Sequence, residues 1–423
     1  MKNFLAKLSL ALRDPVLRSR MIITLVLLVI FRFLANIPIP GFNLDALQRF
    51  FENSQFFGLL NLFSGGGLSN FSIVMLGVGP YITASIIMQL LTMLFPKLKT
   101  LYQEEGEAGR RKFAQYSRML AVPLAVIQAF GFITLLQRQN VIGSLDWFGL
   151  ATNIIIITGG SILLMWLGEL ITEFGIGNGV SLIIFGGIVA SLPQTLTQLT
   201  FAFDPVKIPT YLGFLMAALA VVFGVVIITE AERPIPVTYA KRVRGTKVYG
   251  GVSTYLPLRL NQAGVIPIIF ALSILLFPQM IFRFLANVPY DIVQNISKIT
   301  LQVLENQWVY SGLYFILVFL FTYFYTAVTF DPDTLSSNLQ KSGAFIPGVR
   351  PGQSTSHYIS KILLRLTFVG ALFLALIAVL PLAMQAITQN SSLAIGGTGL
   401  LIVVSVVLEL VKQIDAQISM REY

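Results

Sequence analysis

The chain has 423 residues, of which 55% are hydrophobic and only 11% are charged, whereas soluble domains carry about 25% charged residues. This composition excludes an ordinary soluble protein and predicts an all-α protein that crosses a membrane several times. Because the chain contains no cysteine and His357 is its one histidine, disulfides, thiol-ligated metals and histidine-based metal or catalytic sites are not expected.

The first predicted element is a basic N-terminal segment that leads into a span from about residue 21 to residue 38. No small-residue cleavage pattern follows, so we do not expect a cleavable signal peptide. Prolines end this span, because proline cannot continue a helix. Arg32 lies within the span, where we expect it to snorkel or to pair inside the helix bundle.

A short glycine-rich stretch at about residues 57–72 follows the first span. Its three consecutive glycines each disfavour a helix by about 1 kcal/mol relative to alanine, and the stretch is too short to cross a bilayer. It is nevertheless apolar, and irregular backbone survives at membrane depth only where protein or a watery cavity surrounds it. We therefore predict a segment folded back into a cavity, with its centre at Phe63, Ser64, Gly65, Gly66, Gly67, Leu68, Ser69 and Asn70.

Further apolar runs follow, each of a length suited to a membrane-spanning helix. Together with the first span they make ten. The nine further spans lie at about residues 73–95, 113–136, 152–171, 180–199, 211–229, 264–285, 312–328, 362–386 and 398–411. Ten spans divide into two halves of five, at residues 1–200 and 201–423. Because each half then contains an odd number of spans, we expect the two halves to be inverted relative to each other. No letter-by-letter repeat accompanies this division.

Basic residues predict the orientation of the spans. If the N-terminus is cytoplasmic, 23 of the 29 lysine and arginine residues fall in cytoplasmic segments, which is the distribution that membrane proteins adopt. Both termini are then cytoplasmic. The loops on the other side are mostly short, and none resembles a domain.

Two cytoplasmic loops are long and rich in turn signals. Loop 230–260 places β-prone residues on both sides of Arg244 and Gly245, which predicts a hairpin with basic residues near its tip. Loop 331–361 contains a tight turn that presents Arg350. Cytoplasmic retention alone explains the charge of these loops, whereas a docking platform for an acidic or RNA-containing partner explains both the charge and the predicted hairpin. The loop at residues 97–112, between the second and third predicted spans, carries charges of both signs.

The sequence contains no nucleotide-binding, metal-ligand or nucleophile–base motif, so any energy source must be a partner or an ion gradient. Acidic residues lie near the ends of spans rather than at their centres, which weakens the alternative of an ion-coupled transporter. An intramembrane enzyme is the other alternative, and it lacks a reactive pair at membrane depth. Polar residues such as Thr83, Ser85, Gln89, Asn178 and Asn261 serve either helix packing and capping or a separable seam between helices.

Many stretches, in order along nearly the whole chain, resemble the SecY family of protein-conducting channels. They are Ile37–Gly41, Pro80–Leu91, Glu105–Lys112, Met165–Ala190, Tyr239–Arg242, Asn261–Phe270, Asn338–Gly352 and Gly396–Val403. The resemblance implies a pore through which unfolded secretory polypeptides pass, and from which membrane-protein segments leave sideways into the bacterial plasma membrane. It implies no enzymatic activity and no cofactor.

The resemblance also assigns roles to residues. The glycine-rich stretch corresponds to the plug, a short re-entrant helix that closes the pore. The pore ring falls on Val78, Ile82, Val180, Ile184, Ile269 and Ile402. The lateral gate lies between spans two–three and seven–eight, with Thr83 and Asn261 as candidates for its polar contacts. Partner docking falls on Lys241, Arg242, Arg244, Lys247 and Arg350. The implied partners are the SecE and SecG subunits, the SecA motor, the ribosome, signal sequences and membrane lipids.

Overall fold

The computed structural model describes residues 14–39, 61, 64–68, 70–138, 142–143, 145–201, 208–239, 242–244, 247–249, 253–264, 266–286, 290–388 and 391–419. Most of these residues are helical. The helices are α1 (Pro15–Leu34), α2 (Gly79–Leu94), α3 (Pro96–Gln103), α4 (Gly106–Arg138), α5 (Trp147–Phe174), α6 (Gly179–Phe201), α7 (Ile208–Glu230), α8 (Ile266–Leu285), α9 (Asp291–Glu305), α10 (Gln307–Thr329), α11 (Pro332–Lys341), α12 (Gln353–Thr388) and α13 (Ser391–Ser419). The strands are β1 (Glu232–Tyr239), β2 (Arg242–Arg244), β3 (Lys247–Tyr249), β4 (Ser253–Arg259) and β5 (Ala344–Phe345).

Each predicted span contains one long helix, and α1, α2, α4–α8, α10, α12 and α13 take these places in order. Among the described residues, five helices are long and apolar enough to cross a bilayer by length and composition, namely α4, α5, α8, α10 and α12. A sixth candidate is the pair α2–α3, whose two helices are bent by 113° at Phe95.

Two predictions about element positions are wrong, and one helix was not predicted. The second span was expected to begin near Ile73, but residues 73–78 form turns and α2 begins at Gly79. The loop at residues 97–112 is mostly helical, because Phe95 takes an extended conformation and Pro96 starts a new helix, α3, at the position where proline is best tolerated. The loop between the seventh and eighth spans contains a helix that was not predicted, α9.

Side-chain caps explain where several helices begin. Asp14 accepts hydrogen bonds from the backbone N–H groups of the first turn of α1, at 2.8 and 3.4 Å. Asn178 does the same for α6, at 3.1 and 3.3 Å, as predicted for the capping alternative. Asn306 caps α10, and Asp331 caps α11. Each carboxylate or amide oxygen satisfies N–H groups that lack a partner within the helix.

The long helices form two groups that follow chain order. In the first group α1 packs on α5 and α6, and α2 and α4 pack on each other and on α5. In the second group α10 packs on α8 and α12, while α7 packs on α12 and α13. The groups meet where α8 contacts α2 and α4, a contact that we call the α8 seam, and where α6 contacts α13. One continuous cluster of buried apolar side chains contains residues of both groups.

A small sheet, which we call the platform, joins the loops at one end of the second group. Strand β1 pairs antiparallel with β4, from Glu232 opposite Arg259 to Thr238 opposite Ser253, and with β5 along its other edge. Strands β2 and β3 form a separate antiparallel pair, which confirms the predicted hairpin. Ile235 and Val237 of β1 alternate with exposed neighbours and pack into a separate apolar cluster with residues of α12.

Candidate functional site

A cavity of about 850 Å³ lies between the two groups of helices, where α2, α4, α5 and α6 face α8 and α10. Six charged side chains line it, all from the N-terminal turns of α4 or the C-terminal half of α5. They are Glu107, Arg111, Lys112, Arg118, Glu169 and Glu173. Three are acidic and three are basic, so their formal charges cancel. We call this charged part of the cavity the mouth.

Aliphatic side chains form another part of the same cavity, which we call the floor. Ile82, Val180, Ile184 and Ile269 line it from α2, α6 and α8. Ile82, Ile184 and Ile269 are buried and Val180 is half-buried. Branched apolar side chains of this kind disfavour water in an empty constriction. The cavity therefore combines a polar, charge-balanced entrance with an apolar interior.

The two other residues predicted for the ring lie in the surrounding core. Val78 precedes α2 and Ile402 lies on α13, and both are buried in the same apolar cluster as the floor residues. Neither belongs to the cavity lining. The structure thus brings Ile82, Val180 and Ile184 together with Ile269 across the boundary between the helix groups, and it places Val78 and Ile402 behind them.

An ion pair that the sequence analysis did not predict fixes one side of the mouth. Arg118 of α4 pairs with Glu169 of α5, and a second pair joins Glu107 and Arg111 one turn apart on α4 at 2.9 Å. The second pair has the i,i+4 spacing that is visible in a sequence. The first joins residues that are far apart in the chain, so no local pattern identifies it.

Polar residues of α2 face the cavity beside the mouth. Ser85 and Gln89 both line it, and the Gln89 Nε2 donates to Ser85 Oγ at 3.3 Å. The Gln89 Oε1 is buried without a hydrogen-bond partner among the described residues. Thr83 donates instead to the carbonyl of Gly79 in its own helix, at 3.0 Å.

The described part of the glycine-rich segment lies between α1 and α2. Asn61 is helical, and residues 64–68 and 70–71 form turns, so the glycine-rich centre itself is not helical where it is described. Phe63 and Ser69, which were also predicted for this segment, lie outside the described residues. Gly65 and Gly66 take φ values of 64° and 84°, in the region that favours glycine. The Ser64 hydroxyl accepts from the N–H of Leu68 at 3.0 Å and closes the turn.

Contacts with α1 and α6 hold these turns in place. Arg32 of α1 donates to the carbonyl of Gly65 at 3.2 Å, which agrees with the expected pairing inside the bundle. Asn70 donates to the Oδ1 of Asn36 at 3.0 Å. Gly187 of α6 approaches so closely that a Cβ atom there would collide with the Gly65 backbone. Leu68, Phe71 and Val74 are fully buried.

The α8 seam corresponds to the place predicted for the lateral gate. Asn261 precedes α8, is buried, and donates to the carbonyl of Gly264 at 3.0 Å. Its Oδ1 has no partner among the described residues. Thr83 and Asn261 each bond within their own segment, and no hydrogen bond joins the two. A bond that does link the helix groups runs from the Gln103 Nε2 to the carbonyl of Val328, at 3.2 Å.

The predicted docking residues lie on the β2–β3 pair and beside the platform. Arg242, Arg244 and Lys247 lie on the β2–β3 pair, whereas Lys241 falls outside the described residues. Arg350 is exposed in the turn after β5, whose conformation depends on φ values of 82° at Gly348 and 96° at Gly352. Arg350 thus adjoins the three-stranded sheet in which β5 pairs with β1, whereas the other basic residues lie on a separate two-stranded sheet.

No group of three or more histidine, cysteine, aspartate or glutamate side chains that could hold a metal occurs in the part of the chain that the structure describes.

Comparisons with known proteins give a consistent result. A family model described as SecY matches residues 72–411. The chain is 42% identical to the protein translocase subunit SecY of Thermotoga maritima, over 98% of this chain and 95% of the relative. A solved structure described as showing that the plug domain of SecY stabilises the closed state of the translocation channel has a TM-score of 0.65 and 20% identity, covering 96% of this chain and 93% of the other. Sec61 in a canine ribosome–channel complex has a TM-score of 0.61 and 19% identity, over 96% and 93% of the two chains.

Proposed function

The chain belongs to the SecY family of protein translocase subunits, and on this premise we propose that its cavity is the cytoplasmic vestibule of a pore for unfolded polypeptide. The chain is the pore-forming subunit of a protein-conducting channel. The observation that carries the proposal is the pairing of a charge-balanced mouth with an aliphatic floor in one cavity between the helix groups.

This combination suits a passage for chains of any sequence. Three acidic and three basic side chains at the mouth present no net charge that would trap a polypeptide of the opposite sign. Ile82, Ile184 and Ile269, with Val180, then surround the passing chain with flexible apolar contacts. When the pore is empty, the same side chains exclude water and resist ion leakage. Val78 and Ile402 complete the ring in our proposal, once movement of the helix groups brings them to the pore.

We assign the turns at residues 64–70 to the plug. Their support is physical, because irregular backbone at this depth needs protein around it and these turns are held by Arg32 and by Gly187. The contacts that hold them are non-covalent, so a polypeptide that enters from the vestibule displaces them. The plug then returns when the pore empties.

We place the lateral gate at the α8 seam and the hinge opposite it, at the contact between α6 and α13. Residues 1–200 and 201–423 then move as two halves of five spans each, inverted relative to each other. Thr83 of α2 and Asn261, just before α8, each bond within their own segment. Because neither residue ties α8 to α2, the seam separates without breaking a bond at these positions, which lets an apolar segment move from the pore into lipid.

The platform and the β2–β3 pair together form the proposed docking surface for the motor or the ribosome. Arg242, Arg244 and Lys247 lie on the β2–β3 pair, Lys241 is beside them in sequence, and Arg350 follows β5 of the platform. Basic side chains at these positions attract acidic protein surfaces and RNA phosphates, and such attraction weakens with salt. The proposal places the platform, both termini and the cavity mouth in the cytoplasm, with the ten spans in the bacterial plasma membrane.

The proposed channel works with partners and has no catalytic site of its own. SecA or the ribosome drives the polypeptide, SecE and SecG are the other membrane subunits, and signal sequences open the gate. A solute transporter is the rival function, but it needs a polar or charged site at the bilayer midplane, where this cavity presents aliphatic side chains.

Site-specific crosslinking tests the proposal. A photoreactive residue is placed at Ile82 or Ile269 of the floor, and at exposed Phe223 of α7 as the control. A secretory polypeptide is then stalled during SecA-driven transport into reconstituted vesicles. We expect crosslinks from the floor positions and none from Phe223. Efficient transport without floor crosslinks would overturn the pore assignment.

A further inference from the structure

Helix α9 connects α8 and α10 at the end of the second group opposite the platform. The platform adjoins the start of α8 and the end of α10, so the connection between the other ends of these helices lies on the far side of the membrane. Only Asn306 separates α9 from α10. The helix therefore stays at the level where its two neighbours leave the bilayer.

One face of α9 packs against the protein. Ser297 is buried, and Val293, Leu301 and Leu304 beside it are half-buried, in contact with α8 and α10. An ion pair of 2.8 Å between Arg283 of α8 and Glu305 ties down the C-terminal end of α9.

A second face is apolar and exposed. Ile292, Ile296, Ile299 and Val303 are 49–76% exposed. At 3.6 residues per turn their directions fall within about 60° of one another, so they form one stripe. No aromatic or arginine side chain interrupts it.

A third face is polar and exposed. Asp291, Asn295, Lys298 and Gln302 also fall within about 60° of one another, and the centre of this face lies roughly 100° from that of the aliphatic stripe. Going around the helix, the order is protein, aliphatic stripe and polar face. A helix lying flat on a membrane beside a protein meets its surroundings in this order: protein on one side, acyl chains below and water above.

We propose that α9 is an interfacial helix, whose aliphatic stripe sits in the boundary between the acyl chains and headgroups of the outer leaflet. The exposed aromatic residues at its two ends support this depth, because Tyr290 precedes α9 and Trp308 follows it, 69% and 71% exposed. Tyrosine and tryptophan concentrate at this level of a bilayer. The stripe also continues into exposed Leu313 and Ile316 on α10.

A lipid occupant fits the stripe better than a protein occupant does. Stable protein interfaces use about 20–30 residues on each side and are enriched in aromatic residues and arginine, whereas the stripe offers four aliphatic side chains. The anchor would hold the outer end of α8, the helix of the α8 seam, at a fixed depth while the other end of α8 moves. This consequence rests on the proposed function, whereas the depth of α9 does not.

The absence of cysteine from the sequence makes a direct test possible. Single cysteines are introduced as Ile296→Cys and Ile299→Cys on the stripe, Asn295→Cys and Lys298→Cys on the polar face, and Phe223→Cys as the lipid-facing reference. Each full-length protein is spin-labelled and reconstituted with its partner subunits in vesicles. The collision rates of the label with oxygen and with a water-soluble nickel chelate are then measured.

We expect the ratio of oxygen to nickel accessibility at 296 and 299 to exceed that at 295 and 298 at least fivefold and to approach the value at 223. Equal nickel accessibility on both faces would overturn the proposal in favour of a helix in water. Protection of 296 and 299 from both reagents would also overturn it, and would indicate a protein that covers the stripe. Because position 223 reports insertion and crosslinking reports the pore, failure here is distinguishable from failure of the proposed function.

Discussion

Replacing Gly187 with alanine tests whether the turns at residues 64–68 seal the resting pore. Gly187 lies on α6, where a Cβ atom would collide with the backbone of Gly65. The Gly65 backbone has no side chain that can rotate away, so relief requires the turn itself to move. The same movement weakens the bond from Arg32 to the Gly65 carbonyl.

The expected size of the effect follows from the cost of adding a methyl group to a packed site. Overpacking of this kind costs about 1–3 kcal/mol. If displacement of the plug relieves that cost, the population with an open plug rises by about 5- to 150-fold.

Ion conductance of the purified channel in planar bilayers, without motor or substrate, measures this population. Gly186→Ala is the matched control, because a Cβ at Gly186 has an ordinary 3.4 Å contact with the Leu28 side chain. We expect the Gly187→Ala channel to conduct at least fivefold more than the control, with similar thermal stability in detergent. Equal conductance of the two folded variants would refute the link between Gly187 and the seal.

Three further predictions concern the plug, the floor and the platform. Deleting residues 64–70 should raise the resting conductance because it removes the turns held by α1 and α6, and an unchanged conductance would count against the plug assignment. Ile82→Asn should also raise the resting conductance, by about tenfold or more, because burying an amide without a hydrogen bond costs about 1–3 kcal/mol and therefore favours a hydrated pore. Ile82→Leu is the control, and its channel should keep the low resting conductance. Arg350→Ala should lower SecA-driven transport about tenfold or more, since a charge-assisted hydrogen bond contributes about 1.5–3 kcal/mol, without changing conductance. An equal loss with Lys341→Ala, a nearby exposed basic residue, would show that Arg350 has no special role.

Features with a local cause could be predicted from the sequence. Apolar runs placed the long helices, and turn residues placed the β2–β3 pair around Gly245. The bend at Phe95 was missed because the mixed charges that follow suggested a loop, although Pro96 is also a good first residue of a helix. Helix α9 was missed although its stripe is visible at i, i+4, i+7 and i+11, because a helix of this length is too short to span a membrane.

The site depended on contacts that no local pattern contains. Ile82 and Ile269 were assigned to one ring by resemblance, and the structure places them on one cavity. The pairing of Arg118 with Glu169 joins two helices, so it depends on how they pack. Arg32 could be recognised as a charge needing a partner, but its partner is a backbone carbonyl of a glycine, which carries no sequence signal.

The pairing of β5 with β1 has a mechanical consequence. Strand β1 continues from α7, its partner β4 leads to α8, and the turn at Arg350 leads from β5 into α12. A push or pull applied at that turn is therefore shared by three long helices of the second group, at the ends that adjoin the platform. The sheet couples these helices mechanically, so that a force applied to the turn at Arg350 acts on α7, α8 and α12 together.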